Sequence, residues 1–158
     1  CAILIKVIFM DEKFMKIAIE EAYKAYSILE VPVGAIVVYK DKVIGTGYNM
    51  RETLKDPTAH AEMIAIKKAS EYLGGWRLIG CTMYVTVEPC PMCAGAILNS
   101  RIERLVIGTR DLKMGCCGTI LDLLHNTSFN HQVDVTWGVL EEECSGIMKR
   151  FFKELRQR

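Results

Sequence analysis

Two short segments of the sequence carry side chains that could hold a metal ion and move a proton. His60 and Glu62 lie two residues apart, and Cys90 and Cys93 form a C-x-x-C pair directly after Pro89. Imidazole and thiolate groups are ligands of zinc, and a site with three protein ligands keeps a position for water, as a catalytic zinc requires. We therefore predict a catalytic zinc site with the ligands His60, Cys90 and Cys93. Glu62 is the predicted general acid/base beside it.

Two other interpretations of the same residues stay open at this point. A lone C-x-x-C pair could be a redox pair or half of a structural zinc site, and a lone histidine on an amphipathic helix is usually structural. A structural site would need a fourth protein ligand, for which Cys81, Cys116 and Cys117 are the candidates. None of these three belongs to a second C-x-x-C pair, so the combination with Glu62 favours catalysis.

The composition is that of one domain with an ordinary surface. The chain has 158 residues, of which 51% are hydrophobic, enough for a core. Lys and Arg total 20 against 19 acidic residues, so any surface that binds nucleic acid must be local. Seven cysteines, an odd number at irregular spacings, argue against a disulfide framework. They favour a reducing compartment, and we expect a cytoplasmic protein.

The first nine residues form an apolar run that is too short to cross a bilayer. The charged segment Asp11-Glu12-Lys13 follows it, where a signal peptide would need a cleavage site. We therefore expect no membrane association and take Met10 as the natural start. Residues 1–10 are then an extension without fixed structure, encoded upstream or added in cloning, and residues 11–158 are the functional domain.

Hydrophobic periodicity predicts the elements that must position the candidate ligands. Apolar residues at three- and four-residue intervals predict a helix from Asp11 to about Leu29. Further helices are predicted at 59–72, at 91–99 and from about 140, with a helical turn at 120–124, strands at 33–39, 43–47, 82–87, 105–108 and 133–136, and a loop at 49–58. This order predicts a three-layer α/β/α domain around a mixed, mostly five-stranded sheet. Both ligand segments fall at helix N-termini, where the helix dipole favours ionised thiols.

Longer stretches of the sequence match one known family. They cover about residues 11–156 and comprise Val31–Ala35, Asp56–Glu62, Tyr84–Cys90, Met92–Ile97, Ser100–Ile102, Gly108–Asp111, Gly118–Leu121, Phe129–Gln132 and the pair Phe151-Phe152. On these segments the chain resembles the bacterial tRNA-specific adenosine deaminases of the cytidine deaminase-like superfamily. The resemblance implies hydrolytic conversion of adenosine to inosine at the wobble position of a tRNA anticodon, most often of an arginine tRNA. It also implies one zinc ion per subunit, zinc-activated water, a proton shuttle at Glu62 and a homodimer.

The resemblance further implies which residues meet the tRNA anticodon stem-loop. Asn49 matches a residue that contacts the flipped nucleotide, and Asp111 matches a position near the target sugar, where it could sense the 2′-hydroxyl. Each of the two could instead simply hold a turn. Arg51 and Lys55, in the same loop as Asn49, are weaker candidates for phosphate contact.

The C-terminal segment is a second candidate for RNA contact. Residues 148–158 contain five basic residues and one acidic residue, a net charge of +4. Arg150 could meet phosphate, and Phe151 or Phe152 could stack on a splayed base. The alternative is a solvated basic helix end that complements its own dipole. We expect one of the two phenylalanines to be buried and the other exposed.

Two alternative functions share the predicted metal site. The first is a small-molecule deaminase of the same superfamily that acts on guanine, cytosine or a free nucleoside. The second is a non-catalytic RNA-binding subunit that keeps zinc only for structure. Such a subunit has no need of a shuttle carboxylate, so the presence of Glu62 argues against it.

Overall fold

The computed structural model describes all 158 residues and contains five helices and five strands. In chain order these are α1 (Ala2–Ser27), β1 (Gly34–Tyr39), β2 (Lys42–Tyr48), α2 (Arg51–Leu54), α3 (Ala61–Leu73), β3 (Cys81–Val87), α4 (Pro91–Asn99), β4 (Arg104–Thr109), β5 (Asp134–Trp137) and α5 (Glu141–Arg156). The predicted order is confirmed, and the short helix α2 is added within the predicted loop. The helical turn predicted at 120–124 is wrong, because Asp122 there forms an isolated bridge with Cys117.

The five strands form one mixed sheet in the order β2-β1-β3-β4-β5. Strand β1 is antiparallel to both of its neighbours, β2 and β3, whereas β3, β4 and β5 run parallel to one another. Strands β2 and β3 therefore point in the same direction. Their carboxyl ends lie at one edge of the sheet, and the chain proceeds from that edge into α3 and α4.

Alternate residues of the strands face two separate cores. Val37 and Met83 face one side, where they pack with residues of α3 and α4. Ile36 and Tyr84 face the other side, where they pack with residues of α1 and α5. The predicted three-layer α/β/α architecture with a five-stranded sheet is therefore confirmed.

Helix α1 begins nine residues earlier than predicted, at Ala2 instead of Asp11. No proline or glycine precedes Pro32, so nothing in residues 2–10 stops a helix. The expectation that these residues lack fixed structure is therefore wrong. Most of their large apolar side chains, such as Ile3 and Phe9, are nonetheless exposed. None of the five helices combines the length and the apolar composition needed to cross a bilayer.

Asp11 marks the point where α1 joins the packed domain. Its carboxylate is buried and accepts hydrogen bonds from Arg104 Nη1 at 2.8 Å and Nη2 at 2.6 Å. The Tyr84 hydroxyl donates to the same carboxylate at 2.9 Å. This network joins α1 to β3 and β4, and the full set of partners compensates for burial of the ion pair.

Two glycines allow α3 to lie directly on the backbone of β2. A Cβ atom at Gly47 would lie 2.2 Å from the carbonyl oxygen of Ala61, and one at Gly45 would lie 2.3 Å from that of Ala65. Ala61 lies between His60 and Glu62 in the sequence. The missing side chain at Gly47 therefore sets how closely the start of α3 approaches the sheet.

We predict that Gly47→Ala lowers the free energy of unfolding by about 1–3 kcal/mol, because the new methyl group must push α3 off the sheet. Denaturant titration measures this change. Gly146→Ala is the matched control, since a Cβ there meets nothing within 4 Å in the middle of α5. It should stabilise the protein by about 1 kcal/mol through helix propensity. Equal stability of the Gly47→Ala variant and the wild type would contradict the close approach.

Candidate metal centre and active site

The three predicted metal ligands come together in the fold. His60 Nδ1 lies 3.7 Å from Cys90 Sγ and 3.6 Å from Cys93 Sγ, and the three ligand atoms all lie within 4.8 Å of one another. Nitrogen and sulfur ligands of a single tetrahedral zinc ion, at bond lengths of about 2.0–2.3 Å, stand about 3.3–3.8 Å apart. The donor set and its spacing therefore fit zinc.

Both ligand segments occupy helix starts, as predicted. His60 is the N-cap of α3 and Cys90 the N-cap of α4, and both have extended backbone angles. Neither side chain caps its own helix, so both remain free to bind a ligand. Pro91 suits the first helical position because no backbone N–H is needed there. Cys93 follows within the first turn of α4, where the positive end of the dipole favours an ionised thiol.

The two thiols differ strongly in their readiness to ionise. The pKa of Cys90 falls to about 4, chiefly because the Cys93 thiol donates a hydrogen bond to it and secondly because His60 does. The pKa of Cys93 is raised, since Cys93 gives that hydrogen bond and is itself buried. The pKa of His60 is raised by its hydrogen bond to Cys90. Cys90 is thus the thiol of the pair that ionises first.

The protein supplies three ligands to this centre instead of four. Cys81, Cys116 and Cys117 are buried thiols, but none belongs to the group whose ligand atoms lie within 4.8 Å of one another. The structural-zinc interpretation needs one of them as a fourth ligand. Their positions therefore favour a metal site that is open to a non-protein ligand.

Glu62 is buried beside the ligands with one oxygen unpartnered. The side chain is 3% exposed, and its Oε2 atom has no hydrogen-bond donor. Among the buried side-chain oxygen and nitrogen atoms, only Oε2 of Glu30 shares this state. Burial raises the pKa of Glu62, while the nearby His60 and Cys93 act in the opposite direction. An unpartnered buried oxygen costs about 1–3 kcal/mol. A proton or a donor on a ligand would offset that cost.

Asn49 holds a turn at the edge of the same site. It is 7% exposed, its amide Nδ2 donates to the carbonyl of Val31 at 3.2 Å, and its Oδ1 accepts from Arg51 N at 3.1 Å. The adjacent Met50 N donates to the carbonyl of Ala59 at 3.0 Å, which closes the loop immediately before His60. Each polar atom of the Asn49 amide keeps one further bonding position, so the side chain can hold the turn and also bind a ligand.

Asp111 also holds a turn and lies close to the cysteine segment. Its Oδ1 atom accepts from Lys113 N at 2.9 Å and from Met114 N at 3.2 Å. Both bonds fall on one oxygen, so Oδ2 is left for a ligand. The Asp111 backbone N–H donates to Oε1 of Glu88 at 3.2 Å, two residues before Cys90. The Asp111 turn is therefore fastened to the start of α4.

The C-terminal candidates lie on α5, in the layer opposite α3 and α4. Arg150 donates to the Tyr23 hydroxyl at 3.0 Å, and its guanidinium lies 5.7 Å from the ring centre of Tyr26. Phe151 is 4% exposed and packs edge-on against Tyr26, whereas Phe152 is 38% exposed. The expectation of one buried and one exposed phenylalanine is confirmed. Only the Phe152 ring is accessible enough to stack on an external base.

Arg51 and Lys55, the two weaker candidates for phosphate contact, are both exposed. Arg51 opens α2, and Lys55 follows it in a left-handed conformation. Neither has a fixed acidic partner among the ion pairs of the protein, so both charges face solvent.

Sequence reasoning gave no role to two buried carboxylates that organise the loops of the site. Glu30 Oε1 accepts from Thr53 N at 2.6 Å and so ties α2 to the loop after α1. Glu88 accepts hydrogen bonds from the loop that contains Asp111. Each residue is a charge that lies one or two positions before a proline, at the end of an apolar segment. That placement is the signal that could have identified them.

Two helix starts bring an imidazole, two thiols and a carboxylate together at one edge of the sheet. This arrangement is typical of the zinc-dependent nucleobase deaminases. Comparison with known proteins agrees, since the family model of the MafB19-like deaminases matches residues 9–156. The tRNA-specific adenosine deaminase of Bacillus subtilis is 53% identical over 148 residues, covering 94% of this chain and 92% of that protein. Its counterpart in Haemophilus influenzae is 47% identical, covering 93% and 86%. The chain belongs to the MafB19-like deaminase family and to the tRNA-specific adenosine deaminases.

Solved structures share the same fold. One from a study of A-to-I editing by tRNA:A34 deaminases at the wobble position of transfer RNA superimposes with a TM-score of 0.82 at 41% identity. The match covers 85% of this chain and 98% of that chain. A guanine deaminase from Nitrosomonas europaea gives a TM-score of 0.76 at 21% identity, covering 89% and 83%, and supports the fold alone. The expected cytidine deaminase-like fold is confirmed.

We predict that the wild type purifies with about one zinc ion per chain and that Cys93→Ala loses most of it, because two protein ligands hold zinc poorly. Mass spectrometry of metal content measures this. Cys116→Ala is the matched control, since it also removes a buried thiol, and it should keep the metal. Equal loss of zinc in both variants would show that Cys116 is a fourth ligand and that the site is structural.

Proposed function

We propose that this protein deaminates adenosine to inosine by hydrolysis at the wobble position of a tRNA anticodon. The observation that carries the proposal is the group His60, Cys90 and Cys93 with the buried carboxylate of Glu62 beside it. The 53% identity with a tRNA-specific adenosine deaminase over nearly the whole chain supports this substrate. Glu62 also argues against a purely structural role of the centre.

The proposed cofactor is one zinc ion per chain, held by His60, Cys90 and Cys93. When bound, zinc makes water acidic enough to ionise near pH 7, about nine units below its pKa in bulk. The three-ligand set supports this assignment, because a catalytic metal needs a position that no side chain fills.

Glu62 is the proposed proton carrier. Its pKa is raised by burial, which suits a carboxyl group that must hold a proton and release it again within one turnover. It takes a proton from the attacking water and passes it to N1 of the purine while the water oxygen bonds to C6. It then takes the remaining hydroxyl proton and gives it to the amine at C6. The C6–N bond breaks, and inosine and ammonia leave.

The proposed RNA contacts follow from the positions of the recognition residues. Adenine must leave its stack to reach the site, which costs less in a single-stranded anticodon loop than in a duplex. Asn49 is the proposed contact of the flipped nucleotide, and Asp111 is the proposed contact of its ribose through Oδ2. At the tail, Arg150 and the exposed Phe152 are the proposed contacts for phosphate and base, while Phe151 supports them from the core.

The tRNA species, the extent of the domain and the cellular compartment are also proposed here. We propose an arginine tRNA as the substrate, residues 11–158 as the deaminase domain and the cytoplasm as the compartment, which the seven free thiols favour.

We also propose a homodimer. Between β4 and β5, Leu112, Ile120 and Leu121 each expose more than half of their surface, a pattern typical of a surface that a partner covers.

The decisive test is incubation of the purified protein with an anticodon stem-loop that carries adenosine at the wobble position, with inosine detected by sequencing. Free adenosine, guanine and cytosine are assayed in parallel. Turnover of the stem-loop alone supports the proposal. Turnover of a free base or nucleoside alone would identify the small-molecule alternative, and inactivity towards all of them would leave only the non-catalytic subunit.

We predict that Glu62→Gln lowers kcat on the stem-loop by at least about 100-fold, because the amide cannot carry the proton. Zinc content should stay at the wild-type level, which separates loss of the shuttle from loss of the metal. Single-turnover kinetics together with metal analysis provide both measurements. A near-normal rate in this variant would refute the shuttle role.

We predict that Asp111→Asn lowers the preference for a ribose over a 2′-deoxyribose target by roughly tenfold, the worth of about one hydrogen bond to a charged group. The asparagine Oδ1 can still accept from Lys113 N and Met114 N, so the turn survives and only Oδ2 is tested. Asp122→Asn is the control, since Asp122 Oδ1 likewise accepts a backbone N–H, that of His125. An unchanged preference would mean that Asp111 only holds its turn.

A further inference from the structure

We propose that Glu88 is a positioning residue for substrate recognition. Its buried carboxylate fixes the segment 110–119, called here the Asp111 loop, against the start of the metal-binding helix α4. The inference rests on the proposed function only in the role that it gives to Asp111. The hydrogen bonds themselves stand independently of that role.

Glu88 is placed to join the two parts. It is 3% exposed, follows the last residue of β3 directly and precedes Cys90 by two positions. Oε1 accepts from Asp111 N at 3.2 Å and from the Thr119 hydroxyl. Oε2 accepts from Cys117 N at 3.1 Å and from Thr119 N at 3.2 Å. One side chain therefore binds both ends of the Asp111 loop.

The backbone around Glu88 makes the same connection. Glu88 N donates to the carbonyl of Thr109 at 2.9 Å, and Cys116 N donates to that of Pro89 at 3.0 Å. The loop also wraps closely over the carboxylate, since a Cβ atom at Gly115 would lie 2.5 Å from the Glu88 carboxyl carbon and 2.4 Å from the carbonyl oxygen of Asp111. Only a glycine fits between the two groups.

Arg110, the first residue of the loop, determines which way the Thr119 hydroxyl points. Arg110 Nη1 donates to Thr119 Oγ1 at 3.2 Å, and the Arg110 guanidinium lies 4.1 Å from the ring centre of Trp137. The hydroxyl thus accepts from Arg110 while it donates to Glu88. All four partners of the Glu88 carboxylate are donors, so a group that only accepts is required at this place.

Replacement of Glu88 by glutamine tests this requirement with almost no change of shape. An amide nitrogen at the Oε2 position would face two N–H groups, those of Cys117 and Thr119, and would lose both bonds. At the Oε1 position it would face the Asp111 N–H and the Thr119 hydroxyl. The hydroxyl can rotate to accept a hydrogen bond from the amide nitrogen, so that only the bond from Asp111 N is lost. The second orientation loses fewer bonds, so Glu88→Gln should release the Asp111 amide specifically.

The experiment combines hydrogen exchange with kinetics on the full-length, zinc-loaded protein. In Glu88→Gln, we expect the Asp111 amide to exchange roughly tenfold faster, and the preference for a ribose over a 2′-deoxyribose target to fall roughly tenfold. Zinc content and exchange within α3 should stay unchanged. Glu103→Gln is the matched control, because Glu103 is an exposed glutamate that also accepts one backbone N–H, that of Gly80 at 3.0 Å. It should change neither quantity.

A second variant reaches the same contact from the other side. Gly115→Ala leaves the carboxylate intact but pushes the loop away from it, so it should change exchange and sugar preference in the same direction. In addition, Glu88→Gln combined with Asp111→Asn should lose no more sugar preference than Asp111→Asn alone, because both act through one contact.

Each outcome decides the proposal. Unchanged exchange at Asp111, or faster exchange with an unchanged sugar preference, overturns it. If neither variant folds, Glu88 serves the stability of the whole domain and the proposal is likewise overturned. A wild type without deaminase activity refutes the proposed function instead, and hydrogen exchange then still tests whether Glu88 fixes the loop.

Discussion

The structure depends on one constraint, that the starts of α3 and α4 must meet at a single point. Strand β1 lies between β2 and β3 and is antiparallel to both, so the two outer strands point in the same direction and end at the same edge. The helices that follow them begin at that edge and bring His60 to within 3.7 Å of Cys90. A purely antiparallel meander would send successive strands to opposite edges and would separate the ligands. The position of β1 between β2 and β3, antiparallel to both, is therefore a condition of the site.

Within the site, electrostatics favours a divalent cation. Two thiols side by side cannot both ionise easily, and here the pKa of Cys90 falls while that of Cys93 rises. Coordination by a metal ion deprotonates a thiol outright and removes this competition. At Glu62 the protonated form is favoured, because burial disfavours the charged carboxylate and raises its pKa. The hydrogen bonds from Cys93 and His60 thus favour a thiolate at Cys90, whereas burial favours a proton on Glu62.

Short-range patterns in the sequence predicted the elements and the metal ligands, but not the contacts between distant loops. Apolar periodicity and the position of Pro91 located α4, and residue types alone identified the three ligands. The start of α1 was missed because apolar periodicity detects a helix by its one buried face, whereas residues 2–9 extend the helix with exposed side chains. Glu88 was missed because its partners, such as Asp111 and Thr119, lie more than twenty residues away and donate mostly through the backbone. Backbone donors have no sequence signature, so the position of Glu88 before a proline can mark the residue, but only the fold reveals which groups it binds.

Two buried glutamates hold the segments around Asn49 and Asp111 in place. Residues on loops are positioned less accurately than residues on strands or helices unless other groups fix them. Here Glu30 accepts from Thr53 N in α2, which adjoins Asn49, and Glu88 accepts from the loop that carries Asp111. Both carboxylates are buried and lie one or two residues before a proline, whose fixed φ restricts the local backbone. A carboxylate can accept several N–H groups at once, so one side chain at a rigid point can replace a run of regular secondary structure. Glu30 and Glu88 thus give the segments around Asn49 and Asp111 the hydrogen-bond acceptors that a neighbouring strand or helical turn would otherwise supply.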